Sequence, residues 1–203
     1  MGSMAGARIP LKFVRGKTFR FVFRWAQPVL VYREITAISL AAPCRLTVPA
    51  HGLLPGWAYR IEGVKGLSAL NSDKQGGRWY SARVIDADTL ELNDVNTANA
   101  AIPYSGGGFV VFNQPVDLNG VDVRMQVRDP ASSSTVLYSA TSTPAAGLTV
   151  DNALKQIRLE IPAVTSAAFT FAKGEYEVEA FDGLGNVSQI ARGSFVPAEE
   201  VTR

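Results

Sequence analysis

One cysteine, Cys44, and one histidine, His51, stand in 203 residues. A lone thiol excludes an internal disulfide and any cysteine-rich metal cluster, and it suits a chain that folds in a reducing cytosol. A lone imidazole cannot build a histidine-rich metal site. Charged residues are scarce too, at 19% against 47% hydrophobic. That balance excludes disorder, which needs low hydrophobicity and high net charge. No apolar run approaches the 18 or so residues of a membrane span and no export signal is visible, so no membrane role is expected.

The net charge of +2 makes no case for a nucleic-acid partner, which needs a clustered basic face. Its distribution is uneven. Residues 1–28 carry six cations and no acid, residues 29–112 seven of each, and residues 113–203 seven cations against eleven acids. The N-terminal cations alternate with aromatics, which is the pattern of a half-buried strand rather than of a basic tail.

Strand signals dominate what is there. In residues 19–25 aromatics take every odd position, leaving Arg20, Val22 and Arg24 on the other face. The same period of two returns in residues 121–128, 157–161 and 175–180, each read as an antiparallel strand with one buried face. Turn signals separate them: Asn119-Gly120, Asp129-Pro130, residues 144–147, Lys173-Gly174 and residues 182–186. One short helical turn is expected at residues 162–168, opened by Pro162.

Residues 29–112 have their own rhythm, with short apolar runs at 35–40, 44–48, 58–62, 79–85, 89–92 and 108–112. His51-Gly52, Leu54-Pro55-Gly56, Val64-Lys65-Gly66, Gly76-Gly77, residues 86–88 and residues 105–108 punctuate them. About six short strands in this length suggest a small barrel. Gln27-Pro28-Val29 precedes the segment and Gln114-Pro115-Val116 follows it, and removing it joins two halves of one pattern. The expected fold is therefore all-β: an antiparallel β-sandwich from residues 8–28 and 113–203, with a small β-barrel inserted as residues 29–112.

Gly16-Lys17-Thr18-Phe19 leading into Phe23-Arg24-Trp25, then Pro115-Val116-Asp117-Leu118-Asn119-Gly120 with residues 123–128, resembles the N-terminal sandwich of phage baseplate upper proteins and related small virion proteins. Gly174-Glu175-Tyr176-Glu177-Val178-Glu179, Gly185-Asn186-Val187 with residues 190–193, and the terminal Glu200-Val201-Thr202-Arg203 extend the resemblance. Ile35-Thr36-Ala37-Ile38, Val48-Pro49-Ala50-His51-Gly52-Leu53, Tyr59-Arg60-Ile61-Glu62-Gly63-Val64, Leu70-Asn71 and residues 84–92 are similar to a different module. That module is the barrel known as the first catalytic cysteine half-domain of ubiquitin-activating enzymes, which recurs in phage tail proteins. No nucleotide-binding motif accompanies it, so no ubiquitin chemistry is implied. The resemblance implies a non-enzymatic virion component made in the host cytoplasm, a tail, baseplate or fibre-attachment adaptor or else a capsid decoration protein. It would act without a cofactor, through other virion proteins and copies of itself.

Few residues suggest chemistry. Cys44 sits at the start of a strand pattern, where a free cysteine behaves as a small buried hydrophobe; as a nucleophile it would need His51 as base. His51 reads as a turn-stabilising side chain. Asp86 and Asp88 flank a tight turn, with no oxygen-rich ligand loop beside them. Gly106-Gly107-Gly108 and Gly183-Leu184-Gly185 read as hairpin turns, lacking the helix start and Lys-Ser/Thr of a phosphate loop.

Trp57, Trp79 and Tyr104 carry two readings. Strand aromatics in small barrels fill the interior, whereas a shared exposed face would make an interaction surface or a stacking platform for a host glycan. The charges carry a further expectation: that Arg20 and Arg24 lie in the same sheet as Glu175, Glu177 and Glu179, cations and acids sharing one wet face.

Overall fold

The computed structural model describes residues 6–72 and 77–199. The opening Met-Gly-Ser-Met, Gly76 of the Gly76-Gly77 turn and the terminal Glu200-Val201-Thr202-Arg203 lie outside the described residues. The chain divides into two compact units, residues 1–25 with 117–203 and residues 26–116. Strands are the main regular structure of both, and no helix of the described residues is long and apolar enough to cross a membrane.

The first unit contributes β1 (Ala7–Arg8), β2 (Leu11–Val14) and β3 (Phe19–Phe23). The second unit follows with β4 (Ala26–Glu34), β5 (Ala37–Ile38), β6 (Cys44–Thr47), β7 (Ala58–Glu62), β8 (Tyr80–Ser81), β9 (Arg83–Val84), β10 (Thr89–Leu92) and β11 (Phe109–Pro115). The first unit then resumes with β12 (Asp122–Arg128), β13 (Tyr138–Thr141), β14 (Leu148–Asp151), β15 (Gln156–Ile161), the single turn α1 (Ala163–Ala167), β16 (Gly174–Phe181) and β17 (Val187–Ala198). Pro162 is the N-cap of α1, and the Ser166 hydroxyl lies 2.8 Å from the Lys17 carbonyl.

In the first unit one sheet runs β1-β17-β16-β12-β13, with β2 also paired to β17, and a second runs β14-β15-β3. Alternation decides which side chains go inside. Tyr176, Val178 and Ala180 on β16 and Val123, Met125 and Val127 on β12 are buried, and so are Ile157, Leu159 and Ile161 on β15. Rings fill the space beside them: Phe13 lies 4.8 Å from Phe19 and 5.0 Å from Phe195, and Phe169 lies 5.3 Å from Tyr138.

The second unit holds two four-stranded sheets, β5-β6-β10-β9 and β4-β11-β7-β8. Both send side chains into one core in which Leu46, Tyr59, Ile61, Leu90 and Val110 are fully buried. Among the described residues no sheet closes on itself where a barrel was expected. The reason lies at Ala82, which splits the apolar run at 79–85 into β8, paired with β7, and β9, paired with β10. The backbone at Ala82 bonds instead to Trp57 and Gly56 at 2.7 Å each, so neither ladder continues into the other.

Strands β4 and β11 pair antiparallel from Glu34↔Phe109 to Ala26↔Pro115. Gln27-Pro28-Val29 and Gln114-Pro115-Val116 are thus parts of the inserted unit. Its borders fall at 25/26 and 116/117 rather than at 28/29 and 112/113.

Candidate interaction surfaces

Strand β4 is the outer strand of its sheet, so one row of its backbone N–H and C=O groups has no neighbouring strand in this sheet. Its side chains are unusually apolar for such a place. Val29, Leu30 and Tyr32 are 49%, 42% and 50% exposed, and Phe109 on the adjoining β11 is 43% exposed with its ring 6.2 Å from that of Tyr32. Register puts Leu30, Tyr32 and Glu34 on the same face as Asn113, Val111 and Phe109, and next to them Arg60 and Glu62 of β7. Arg60 pairs with Glu62 at 3.1 Å, and its guanidinium lies 5.3 Å from the Trp79 ring centre. Leu30, Tyr32, Phe109 and Trp79 thus leave apolar side chains exposed on this sheet, bordered by an ion pair.

Of the two readings of these aromatics, Trp57 takes the interior one, and the shared exposed face is corrected. Trp57 is buried in the core of the second unit, so it cannot share an exposed face with Trp79, which is 53% exposed. Tyr104 is half-buried, its hydroxyl 2.6 Å from the Ile35 carbonyl and 2.9 Å from that of Gly107, and burial raises its pKa. Tyr32 and Phe109 take the place assigned to Trp57 and Tyr104. The signal for Tyr32 was the unbroken run Val29-Leu30-Val31-Tyr32, which lacks the alternation of a half-buried strand.

The charge pairing is corrected as well. β3 and β16 belong to different sheets. Arg20 lies opposite Glu160 of β15 and bonds it twice, Nε at 2.9 Å and Nη2 at 3.1 Å, while Arg24 lies just past the end of β3. Glu175, Glu177 and Glu179 do form one column, the first two exposed and Glu179 half-buried, but its cations come from other neighbours. Arg128 and Arg124 on β12 face Glu175 and Glu179, and Arg192 on β17 faces Glu177. Arg124 Nη2 reaches Glu179 at 2.7 Å, and Gln189 holds Glu177. Alternation fixes the face of a strand but not its neighbour, and β12 and β17 relieve the glutamate repulsion that β3 was expected to relieve. The column floors a groove of about 670 Å³ lined by both signs of charge.

A second charged row crosses the sheet of β6, β10 and β9. Arg45, Glu91 and Arg83 are direct neighbours, with Arg45 Nε and Arg83 Nε each 3.0 Å from one oxygen of Glu91. The Glu91 side chain is only 6% exposed. Sequence reasoning passed over this row, although Glu91 between Leu90 and Leu92 marks an acid set into an apolar strand.

The remaining candidates take structural places. Cys44 is fully buried, and burial raises its thiol pKa while hydrogen bonds involving Thr97 and Ser39 oppose the rise. Such a thiol is a poor nucleophile. His51 is also buried: Nδ1 accepts the Leu53 N–H at 3.0 Å, so the proton sits on Nε2, which donates to the Asp86 carbonyl at 3.0 Å. Asp86 accepts the Asp88 N–H, which with the Thr89 hydroxyl holds its pKa low, and Asp88 accepts the Ala50 N–H. Among the described residues no group of three or more His, Cys, Asp or Glu side chains is placed to hold a metal ion. Gly108 approaches Val64 so closely that a Cβ would lie 2.6 Å from its side chain, which gives that glycine a packing role. Gly183 and Gly185 lie in the turn between β16 and β17.

The His51 arrangement gives an expected result. His51→Ala strands a buried N–H and a carbonyl and should destabilise the second unit by about 2 to 4 kcal/mol. Thermal unfolding followed by circular dichroism measures it, and a change within about 0.5 kcal/mol would show that water replaces both bonds.

No protein-family model matches this chain, and no curated protein matches it.

Proposed function

We propose that this chain is a non-enzymatic structural component of a bacteriophage virion, an adaptor of the tail, baseplate or fibre attachment that works through protein–protein interfaces. We read its first unit as the sandwich of the baseplate upper proteins that its sequence resembles, the Phe23 and Tyr176 rings being 6.3 Å apart between strands of the two sheets. The inserted unit is read as a barrel-like module with open sheets. Its partners on this reading are other virion proteins and copies of itself, and its location is the particle, after folding in the host cytoplasm.

The observation that carries the reading is the open strand β4 with Leu30, Tyr32 and Phe109 exposed around it. Burying such side chains contributes roughly 25 cal/mol per Å² of apolar surface, and a strand added at the open edge would satisfy its backbone groups. The expected test result is that Tyr32→Ser with Phe109→Ser leaves folding intact yet lowers incorporation of the chain into particles about tenfold or more. Quantitative immunoblotting of purified particles reads the loss. Electron microscopy that finds no copy of this chain in the intact particle would overturn the reading.

A further inference from the structure

Beside the row of Arg45, Glu91 and Arg83 lies a pocket of about 320 Å³, entirely within the inserted unit. Trp79, Arg78, Arg83, Glu91, Asn93 and Asp94 line it. Two features separate it from an ordinary wet crevice. The polar groups are held before any ligand arrives: each Glu91 oxygen already accepts from an arginine. The Asn93 amide, turned to satisfy both neighbours, donates to Glu91 Oε1 at 2.9 Å and accepts from Arg83 Nη1 at 3.1 Å. Trp79 is held by the Arg60 guanidinium near its ring, and Arg78 lies 4.7 Å from the Tyr80 ring centre. Groups ordered in the free protein lose little freedom on binding.

The second feature is the charge count. Arg78 and Arg83 are balanced by Glu91 and Asp94, so the pocket does not favour a net anion or cation. It offers instead planar donors and acceptors beside an exposed indole. That combination fits a neutral polyol with one apolar side, because carboxylate, amide and guanidinium groups bond neighbouring hydroxyls while the indole covers C–H bonds. The volume is at the small end of ligand sites, which favours one sugar ring over a long chain.

We propose that this pocket binds a neutral hexopyranose, presented as the terminal unit of a surface glycan, with the ring against Trp79 and its hydroxyls on Arg83, Asn93 and Asp94. The site stands whether or not the chain is a virion component. Nor does it need Trp57, whose burial ends the two-tryptophan platform.

The test titrates the full chain with the methyl glycosides of glucose, galactose, mannose and N-acetylglucosamine, following the backbone amides of Arg83, Asn93 and Asp94 by NMR. The expected result is a saturable shift with at least one of them, and an affinity lowered about tenfold by Trp79→Ala. Asp94→Asn, at an exposed position, should weaken binding severalfold without moving the unfolding midpoint, and it carries the test if Trp79→Ala fails to fold. Absence of a saturable shift with all four glycosides overturns the site. So does binding that both variants leave unchanged.

Discussion

Gly66→Ala should destabilise the inserted unit by more than about 3 kcal/mol, while Gly52→Ala in the same unit should cost only about 1 to 2 kcal/mol. The two glycines share the backbone problem, with φ of +83° and +67°, a region an alanine enters at a cost. They differ in what a methyl group would meet. At Gly52 nothing lies within 4 Å, whereas at Gly66 a Cβ would sit 1.9 Å from the Pro103 carbonyl oxygen and 3.0 Å from the Ser105 nitrogen. Those are backbone atoms and cannot rotate away. The contact is also tied by hydrogen bonds, Ser105 N–H to the Lys65 carbonyl at 3.1 Å and Lys65 N–H to the Gly106 carbonyl at 3.2 Å, so relief would break the loop pairing. Denaturant unfolding of the two variants beside the parent gives both values. Equal costs would mean that the 103–108 loop moves freely and that only the φ penalty counts.

Excising residues 26–116 and joining Trp25 to Asp117 through a short glycine-serine linker should leave a folded protein of 112 residues with a single cooperative unfolding transition. Both sheets of the first unit are built only from strands outside the excised segment. The geometry favours the join, since Ala26 and Pro115 are direct cross-strand partners and such Cα atoms lie only about 5 Å apart. A linker of a few residues therefore replaces the whole insert without stretching the scaffold. A soluble excised protein that unfolds gradually, or that loses near-ultraviolet ellipticity from its packed aromatics, would show that the first unit depends on the second.

The strands of the first unit were legible wherever one face is buried and the other wet. Residues 121–128, 157–161 and 175–180 became β12, β15 and β16 within a residue or two at each end, and in the second unit residues 58–62 and 89–92 are β7 and β10. Alternation works there because a one-residue slip would turn Val178 outward and Glu177 inward. What the residues could not convey was pairing. Arg20 matches any acidic strand in composition, and only the register with β15 assigns it to Glu160 rather than to Glu177. β4 was missed for a different reason: its apolar run does not alternate, because Val31 packs on the core while Leu30 and Tyr32 remain exposed. Of the aromatic surface only Trp79 was legible, since burial of Trp57 depends on strands distant in sequence.

Strands β1 and β2 lie parallel to β17, Ala7 beside Ala191 and Leu11 beside Phe195. In a parallel pair the N-terminal end of one strand and the C-terminal end of the other point in opposite directions. A pulling force applied near residue 6 and residue 199 would therefore load this seam in shear, straining its hydrogen bonds together rather than opening them one at a time. Residues 26–116 leave and rejoin the chain between β3 and β12, off that line of force. The inserted unit would carry no tension until the seam had failed, so one end-to-end strain could be borne by the scaffold while the pocket and the β4 face kept their geometry.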